Sequence, residues 1–240
     1  MKPALLHLLP AYPRTINLPW KPNIDDGDII ATSEEARVIF TAPHVVVEEK
    51  IDGASVGAAL IEDNALIRNR DHILRKGYHK KTAAKMQFAS IWNWFYDHIE
   101  LFKKINSHGP YSVYAEWCLA AHGIYYDQLK SLFNAFAIYD QCAGEFIDPE
   151  VGRKMLSEAG FVVPPLIHVG RIESYEQLEA WTREPSAFAS NSLREGIYLK
   201  IGDGQWTTHR FKMVRADYVR GALWDSMEIT KNKKEVTDAA

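Results

Sequence analysis

The chain has 240 residues, of which 47% are hydrophobic, with 28 Lys+Arg against 31 Asp+Glu and a formal net charge of −3. This is ordinary globular composition with enough chain for one sizeable core. It excludes a polycation that grips nucleic acid through overall charge, so any basic surface must be local. Two cysteines without metal-ligand spacing, Cys118 and Cys142, fit a reduced intracellular, cytoplasmic setting. The N-terminal apolar run is too short and interrupted for a signal peptide or membrane span.

Residues 1–40 begin Pro-rich, with Pro3, Pro10, Pro13, Pro19 and Pro22, and read as extended or turn structure wrapping the domain. Tyr12-Pro13-Arg14-Thr15 reads as a surface turn or an anion contact. Val45-Val46-Val47 is a buried strand that runs into Glu48-Glu49-Lys50-Ile51-Asp52-Gly53, where Gly53 permits a sharp bend. Residues 43–75 form a β meander, with strands over 55–61 and 65–70 joined at Glu62-Asp63-Asn64. This pairing is expected to set Arg68 or Arg70 beside the strand of Lys50.

Phe88, Ile91, Trp92, Phe95, Ile99 and Phe102 recur at helical spacing, predicting a helix over 82–106 whose aromatic stripe is core rather than a base-stacking surface. The run before it, Arg75 to Lys81, is the most basic in the chain. Arg75, Lys76, Lys80 and Lys81 are therefore candidate contacts to a phosphate backbone. Tyr111–Cys118 and Phe133–Tyr139 read as strands separated by an aromatic loop. Asp148-Pro149-Glu150 opens a helix that Gly160 ends, and Ser174-x-x-Gln177 opens another. Residues 197–214 form a hairpin carrying Lys200, Arg210 and Lys212. A terminal helix is expected over 216–227, with fraying beyond 231. No linker divides the chain, so residues 1–240 are read as a single domain.

One chemistry suits Lys50 with these partners: attack of a lysine amine on a nucleoside triphosphate. The amine must be neutral, and Lys200 and Lys212 would depress its pKa and hold the α-phosphate. Glu116 and Glu195 are the carboxylates on offer to a divalent cation, and Phe136 can stack on a base.

At this point the sequence resembles the RNA ligase family of the covalent nucleotidyltransferases, the superfamily of ATP-dependent DNA and RNA ligases and mRNA-capping enzymes. Glu49-Lys50-Ile51-Asp52-Gly53 is similar to the nucleophile motif and Ile67-Arg68-Asn69-Arg70 to the arginine motif, with Arg68 favoured over Arg70. Val113-Tyr114-Ala115-Glu116 is similar to the strand whose glutamate binds ribose and later metal. Phe133-Asn134-Ala135-Phe136 is similar to the base-stacking motif. Glu195-Gly196-Ile197-Tyr198-Leu199-Lys200 is a close match to Glu-Gly-x-x-x-Lys, and Arg210-Phe211-Lys212 stands where the family has Lys-x-Lys. Ala115, Ala137 and Arg210 depart from the usual Gly, Asp and Lys.

The resemblance implies an α+β nucleotidyltransferase fold, with two antiparallel β-sheets flanked by helices and an ATP groove between them. Lys50 would carry AMP. Lys200 and Lys212 would assist catalysis, and Glu49, Arg68, Arg70, Glu116, Phe136, Glu195 and Arg210 would bind nucleotide. The implied cofactors are ATP and Mg²⁺ or Mn²⁺, and the implied partner is nicked or structured RNA with 5′-phosphate and 3′-OH ends. DNA stays open as a substrate, as does a protein partner that adds substrate binding. The 25 or so residues after 215 are too few for an oligonucleotide-binding barrel. A small DNA ligase, a capping guanylyltransferase and a catalytically silent binding module remain as alternatives.

Overall fold

Two five-stranded sheets face one another in the computed structural model, which describes residues 7–20, 27–76, 86–223 and 229–235. The first sheet has the order β1 (Ile16–Asn17), β10 (Thr207–Val214), β9 (Gly196–Gly202), β2 (Val45–Lys50), β8 (Leu166–Gly170). Its pairings are antiparallel except β1–β10, which is parallel. The second has the order β4 (Asn64–Asn69), β3 (Ala54–Ile61), β5 (Tyr111–Trp117), β6 (Phe133–Asp140), β7 (Glu145–Phe146), antiparallel throughout. Helices α1 (Ser33–Ala36), α2 (Val38–Thr41), α3 (Ile91–Asp97), α4 (Ile99–Asn106), α5 (Pro149–Ala159) and α6 (Tyr175–Thr182) complete the described elements. None is long and apolar enough to cross a membrane.

Period-2 alternation sends each sheet's apolar residues to its helix-covered face. Val45, Val47, Ile197, Leu199, Phe211 and Met213 pack with Ile39 and Leu178 behind the first sheet. Val56, Ile67, Val113, Trp117 and Phe133 pack with Phe95, Phe102 and Leu156 behind the second. The intervening positions, among them Lys50, Tyr198, Lys200 and Lys212, face the space between the sheets. Leu9, Ala59, Leu66, Tyr114 and Phe146 close one end of that space. The other end is open.

The aromatic stripe is core, but its helix is broken. At His98 (φ −119°, ψ 21°) α3 gives way to α4. The His98 ring stacks on Trp94 and engages the Trp94 carbonyl at 2.8 Å, competing with the helical ladder. Residues 82–85 lie outside the described residues. The two-residue turn between β3 and β4 places Glu62 (φ 46°) and Asp63 (φ 62°) in the left-handed region, as a tight hairpin requires. The α5 start follows the sequence: Asp148 accepts from the amides of Glu150 and Val151, and Gly160 ends the helix at φ +100°. Residues 216–223 form turns rather than the expected helix. Residues 224–228 lie outside the described set.

The β4 strand is an edge of the second sheet, whereas Lys50 lies on the first. The expectation that Arg68 or Arg70 pairs beside the Lys50 strand therefore fails: any arginine from β4 reaches Lys50 across the gap between sheets.

Candidate active site

Lys50 is the last residue of β2, opposite Gly196 at the start of β9. This register brings Glu195 beside it, and Lys50 Nζ donates to Glu195 Oε2 at 2.5 Å. Gly196 can hold this position because it has no Cβ: one would stand 2.1 Å from the Met213 carbonyl oxygen. Gly53 presses β2 onto the second sheet in the same way, since a Cβ there would meet the Trp117 carbonyl oxygen at 2.7 Å. Between these contacts the backbone crosses from one sheet to the other, bringing Lys50 beside Glu116 of β5.

The open groove has a volume of about 560 Å³ and is lined by Lys50, Asp52, Arg70, Glu116, Glu195, Tyr198 and Lys212, with Arg14, Asp28, His122 and Arg220 at its rim. Burial works against the Lys50 charge, but Glu195, Tyr198 and Glu116 together hold its pKa above the ordinary lysine value. Burial pushes Glu116 up to about 8, with Lys50 opposing and Glu195 and Asp52 adding to the rise. Burial likewise raises Glu195, against Lys50. Lys212 is displaced downwards, first by burial and then by Lys50. The expectation that cations depress Lys50 is thus reversed here: two carboxylates and the Tyr198 hydroxyl surround the amine, and the amine keeps its proton.

Asp52 faces inward beside Lys50, and its Oδ2 accepts from the amides of Gly123 (2.6 Å) and Ile124 (2.9 Å). The Asp52 amide donates to the Tyr126 hydroxyl. The acid of Lys-x-Asp-Gly therefore ties the loop carrying His122 to the Lys50 turn.

Several anticipated residues sit elsewhere. Glu49 points to the opposite side of β2, where it accepts from Ser186 Oγ and the Ala187 amide. Arg68 is buried and spends its guanidinium on the carbonyls of Leu9, Asn69 and Arg70, so Arg70, not Arg68, lines the groove. Lys200 and Arg210 lie behind Tyr12, in a smaller recess that Phe136 also lines. Lys200 Nζ donates to Glu48 Oε2 (2.5 Å) and to the Phe136 carbonyl (2.7 Å). The Arg210 guanidinium lies over the Phe146 and Tyr12 rings. Phe136 is covered by Tyr12, edge-on at 5.0 Å, and faces Tyr198 at 6.2 Å and 20°. Arg75 and Lys76 are exposed and away from the groove, with the Lys76 ammonium over Tyr96. Lys80 and Lys81 lie outside the described residues.

Glu48, Tyr198, Asp28 and His122 were not anticipated as site residues, and Tyr12 only within a surface turn or anion contact. Two of them carry a local signal: Glu48 is two residues before Lys50, and Tyr198 two before Lys200, so each shares its strand face. Tyr12, Asp28 and His122 arrive from distant segments and carry none.

Comparison with solved structures finds the same fold. The Naegleria gruberi RNA ligase with PPi superposes with a TM-score of 0.59 at 20% identity, over 82% of this chain and 62% of that one. A variant of that ligase with ATP and Mn gives 0.52 at 21% identity, over 72% and 50%, and another with AMP and Mn gives 0.51 at 20%, over 73% and 51%. The chain thus spans between half and two-thirds of these proteins. No curated protein matches the sequence. The RNA ligase family matches residues 43–214, a span that holds every strand of the groove except β1, and the chain belongs to that family.

Proposed function

We propose that this chain is an ATP-dependent RNA ligase that works through a lysyl-AMP intermediate on Lys50. The observation that carries this reading is the Lys50–Glu195 pair at the seam of the two sheets, with Glu116 beside it from the second sheet and Lys212 lining the same groove from the first. Lys50 Nζ would attack the α-phosphorus of ATP, forming an N–P bond as pyrophosphate leaves. A 5′-phosphate oxygen would then take AMP from Lys50, and a 3′-hydroxyl would attack that end and expel AMP. Lys50 must shed its proton first, so Glu195 must be drawn away from it.

The acidic wall fits a divalent cation. Glu116, Glu195 and Asp52 outnumber Lys50, and burial of Glu116 without enough positive charge is what lifts its pKa. Among the described residues no three His, Cys, Asp or Glu side chains form a metal set of their own. Glu116 and Glu195 would therefore share the ion with phosphate oxygens and water, as Mg²⁺ prefers. When bound, the ion supplies Lewis-acid charge at the phosphates. ATP and manganese in the Naegleria ligase structures support the same cofactors here.

Phe136 and Tyr198 are nearly parallel, one from each sheet. They are the proposed seat of the base, which would part them. Arg70 takes the role first assigned to Arg68, because only Arg70 lines the groove. Arg75, Lys76, Lys80 and Lys81 remain proposed contacts to the RNA backbone.

Incubation with [α-³²P]ATP and Mg²⁺ should label the wild-type protein and leave Lys50→Ala unlabelled. Equal labelling of both would refute the assignment. A chase with nicks ending in ribose or deoxyribose reads RNA against DNA preference, and labelling by GTP in place of ATP would point to capping chemistry.

A further inference from the structure

The rim of the groove carries a contact that the ligation reading does not use. Lys212 Nζ and Asp28 Oδ1 are 3.3 Å apart, with side chains only 13% and 8% exposed. Lys212 lines the groove that holds Lys50, on the face where a triphosphate would lie. An aspartate carboxylate already stands there.

Asp28 is held in place by backbone hooks. Asn17 of β1 is in register with Lys212 of β10. The Asn17 amide donates to the Ile29 carbonyl (2.7 Å), and the Asn17 carbonyl accepts from the Ala31 amide (2.9 Å). Arg14 donates to the Gly27 carbonyl at 2.8 Å, and Gly27 turns the chain at φ +83°. These contacts fasten residues 27–31 to the sheet edge and aim Asp28 at Lys212.

The charge pattern gives the contact a consequence. Glu116 and Glu195, at the Lys50 end of the groove, can have their charge offset by a divalent cation. Asp28 pairs with Lys212 instead, so an entering polyphosphate meets Asp28 as a like charge on its own cation. We propose that Asp28 is a resident counter-ion for Lys212 that a polyphosphate must displace, so that it weakens nucleotide binding and clears the groove rim when nucleotide enters. This rests on the nucleotide-binding reading of the groove.

The test uses inorganic tripolyphosphate without divalent cation, titrated calorimetrically into wild type, Asp28→Asn and Asp28→Glu, alongside [α-³²P]ATP labelling of each. Asp28→Asn should bind tripolyphosphate about three- to tenfold more tightly, the scale of one partly screened charge contact. It should lower the KM for ATP in lysine labelling by a similar factor with little change in kcat, and Asp28→Glu should behave like wild type. Equal or weaker tripolyphosphate binding by Asp28→Asn, with an unchanged melting temperature, overturns the proposal. It would make Asp28 a support that orients Lys212. Should Asp28→Asn melt earlier, a gain in affinity still supports displacement, and Asp28→Glu at wild-type affinity ties the gain to charge rather than loosening. If no nucleotide labels the wild type while Asp28→Asn still binds tripolyphosphate more tightly, the ligase reading fails and the Asp28 proposal stands.

Discussion

Glu48 shows how much of this site depends on one carboxylate that touches no expected ligand. It accepts from Lys200 on one oxygen and from Arg153 on the other at 2.6 Å, joining β2, β9 and α5 behind the proposed base seat. Removing the anion leaves a buried Lys200 and a partly buried Arg153 without their shared counter-charge. Glu48→Ala should cost on the order of 3–5 kcal/mol, read as a lower urea midpoint at unchanged m-value. Loss below about 1 kcal/mol would mean that the cations find other partners. Glu116 makes a prediction of opposite sign. Its pKa rises from an ordinary 4.5 to about 8. Between those values the folded protein keeps a proton that the unfolded chain has lost, so this residue's contribution falls as pH rises from about 4.5 toward 8. Glu116→Gln, which carries no titrating proton, should gain stability over wild type as pH rises from 5 to 8.5, measured in metal-free denaturation, with little difference at pH 5. A constant offset across that range would show that the carboxylate is ionised throughout.

At the level of elements, the active strands depend on glycines as close spacers. Gly53→Ala drives a methyl toward the Trp117 carbonyl oxygen, with Cys118 Sγ and Glu116 Cγ each at 3.1 Å. Relief requires β2 to part from β5. The variant should lose about 1–3 kcal/mol of stability, as overpacked sites do, and should lose lysine labelling more than that loss explains, because Lys50 moves with the turn. Labelling at the wild-type rate would detach the turn from catalysis. The same elements show what sequence alone can reach. Lys50 and Lys212 are recoverable because each sits on a short motif whose strand face follows from period 2, and Glu195, just before β9, is recoverable from its motif alone. The choice between Arg68 and Arg70 is not. Both have the same parity, and the difference is made by residues 8–10 crossing the inner face of the second sheet. There Leu9 accepts from Arg68, Leu8 from Ser112 and Pro10 from Tyr114, while Arg70, beyond the strand end, is left to reach the groove. Phe136 was found as a residue but not as a surface, because the Tyr12 that covers it lies more than a hundred residues away in sequence. The break at His98 was hidden for a more local reason: apolar spacing runs through it, and only the ring's bond to the Trp94 carbonyl marks the interruption.

Across the whole molecule, the two sheets have separate cores, and ties between them among the described residues include the Lys200 bond to the Phe136 carbonyl, the Glu48–Arg153 pair, the Arg210 guanidinium over Phe146 and the Gly53 crossing. A nucleotide seated between Phe136 and Tyr198 and reaching Lys50 and Lys212 would add a further tie. It would bind the folded chain and not the unfolded one. Saturation at a hundred times Kd adds about 2.7 kcal/mol, which for a chain of this length corresponds to a rise of roughly 5–10 °C in Tm. Lys50→Ala should keep most of that rise, since it removes the proposed nucleophile but neither the proposed stacking rings nor Lys212. Tyr198→Ala should lose much of it, because stacking contributes about 1–3 kcal/mol per base. A magnesium salt without nucleotide should give only a small rise, because Glu116 and Glu195 alone do not complete an ion's shell, and Glu195→Gln should remove even that. Thermal scans of these three variants with and without ATP–Mg²⁺ separate seat from nucleophile. An equal rise in wild type and Tyr198→Ala would place the base somewhere other than between the two rings.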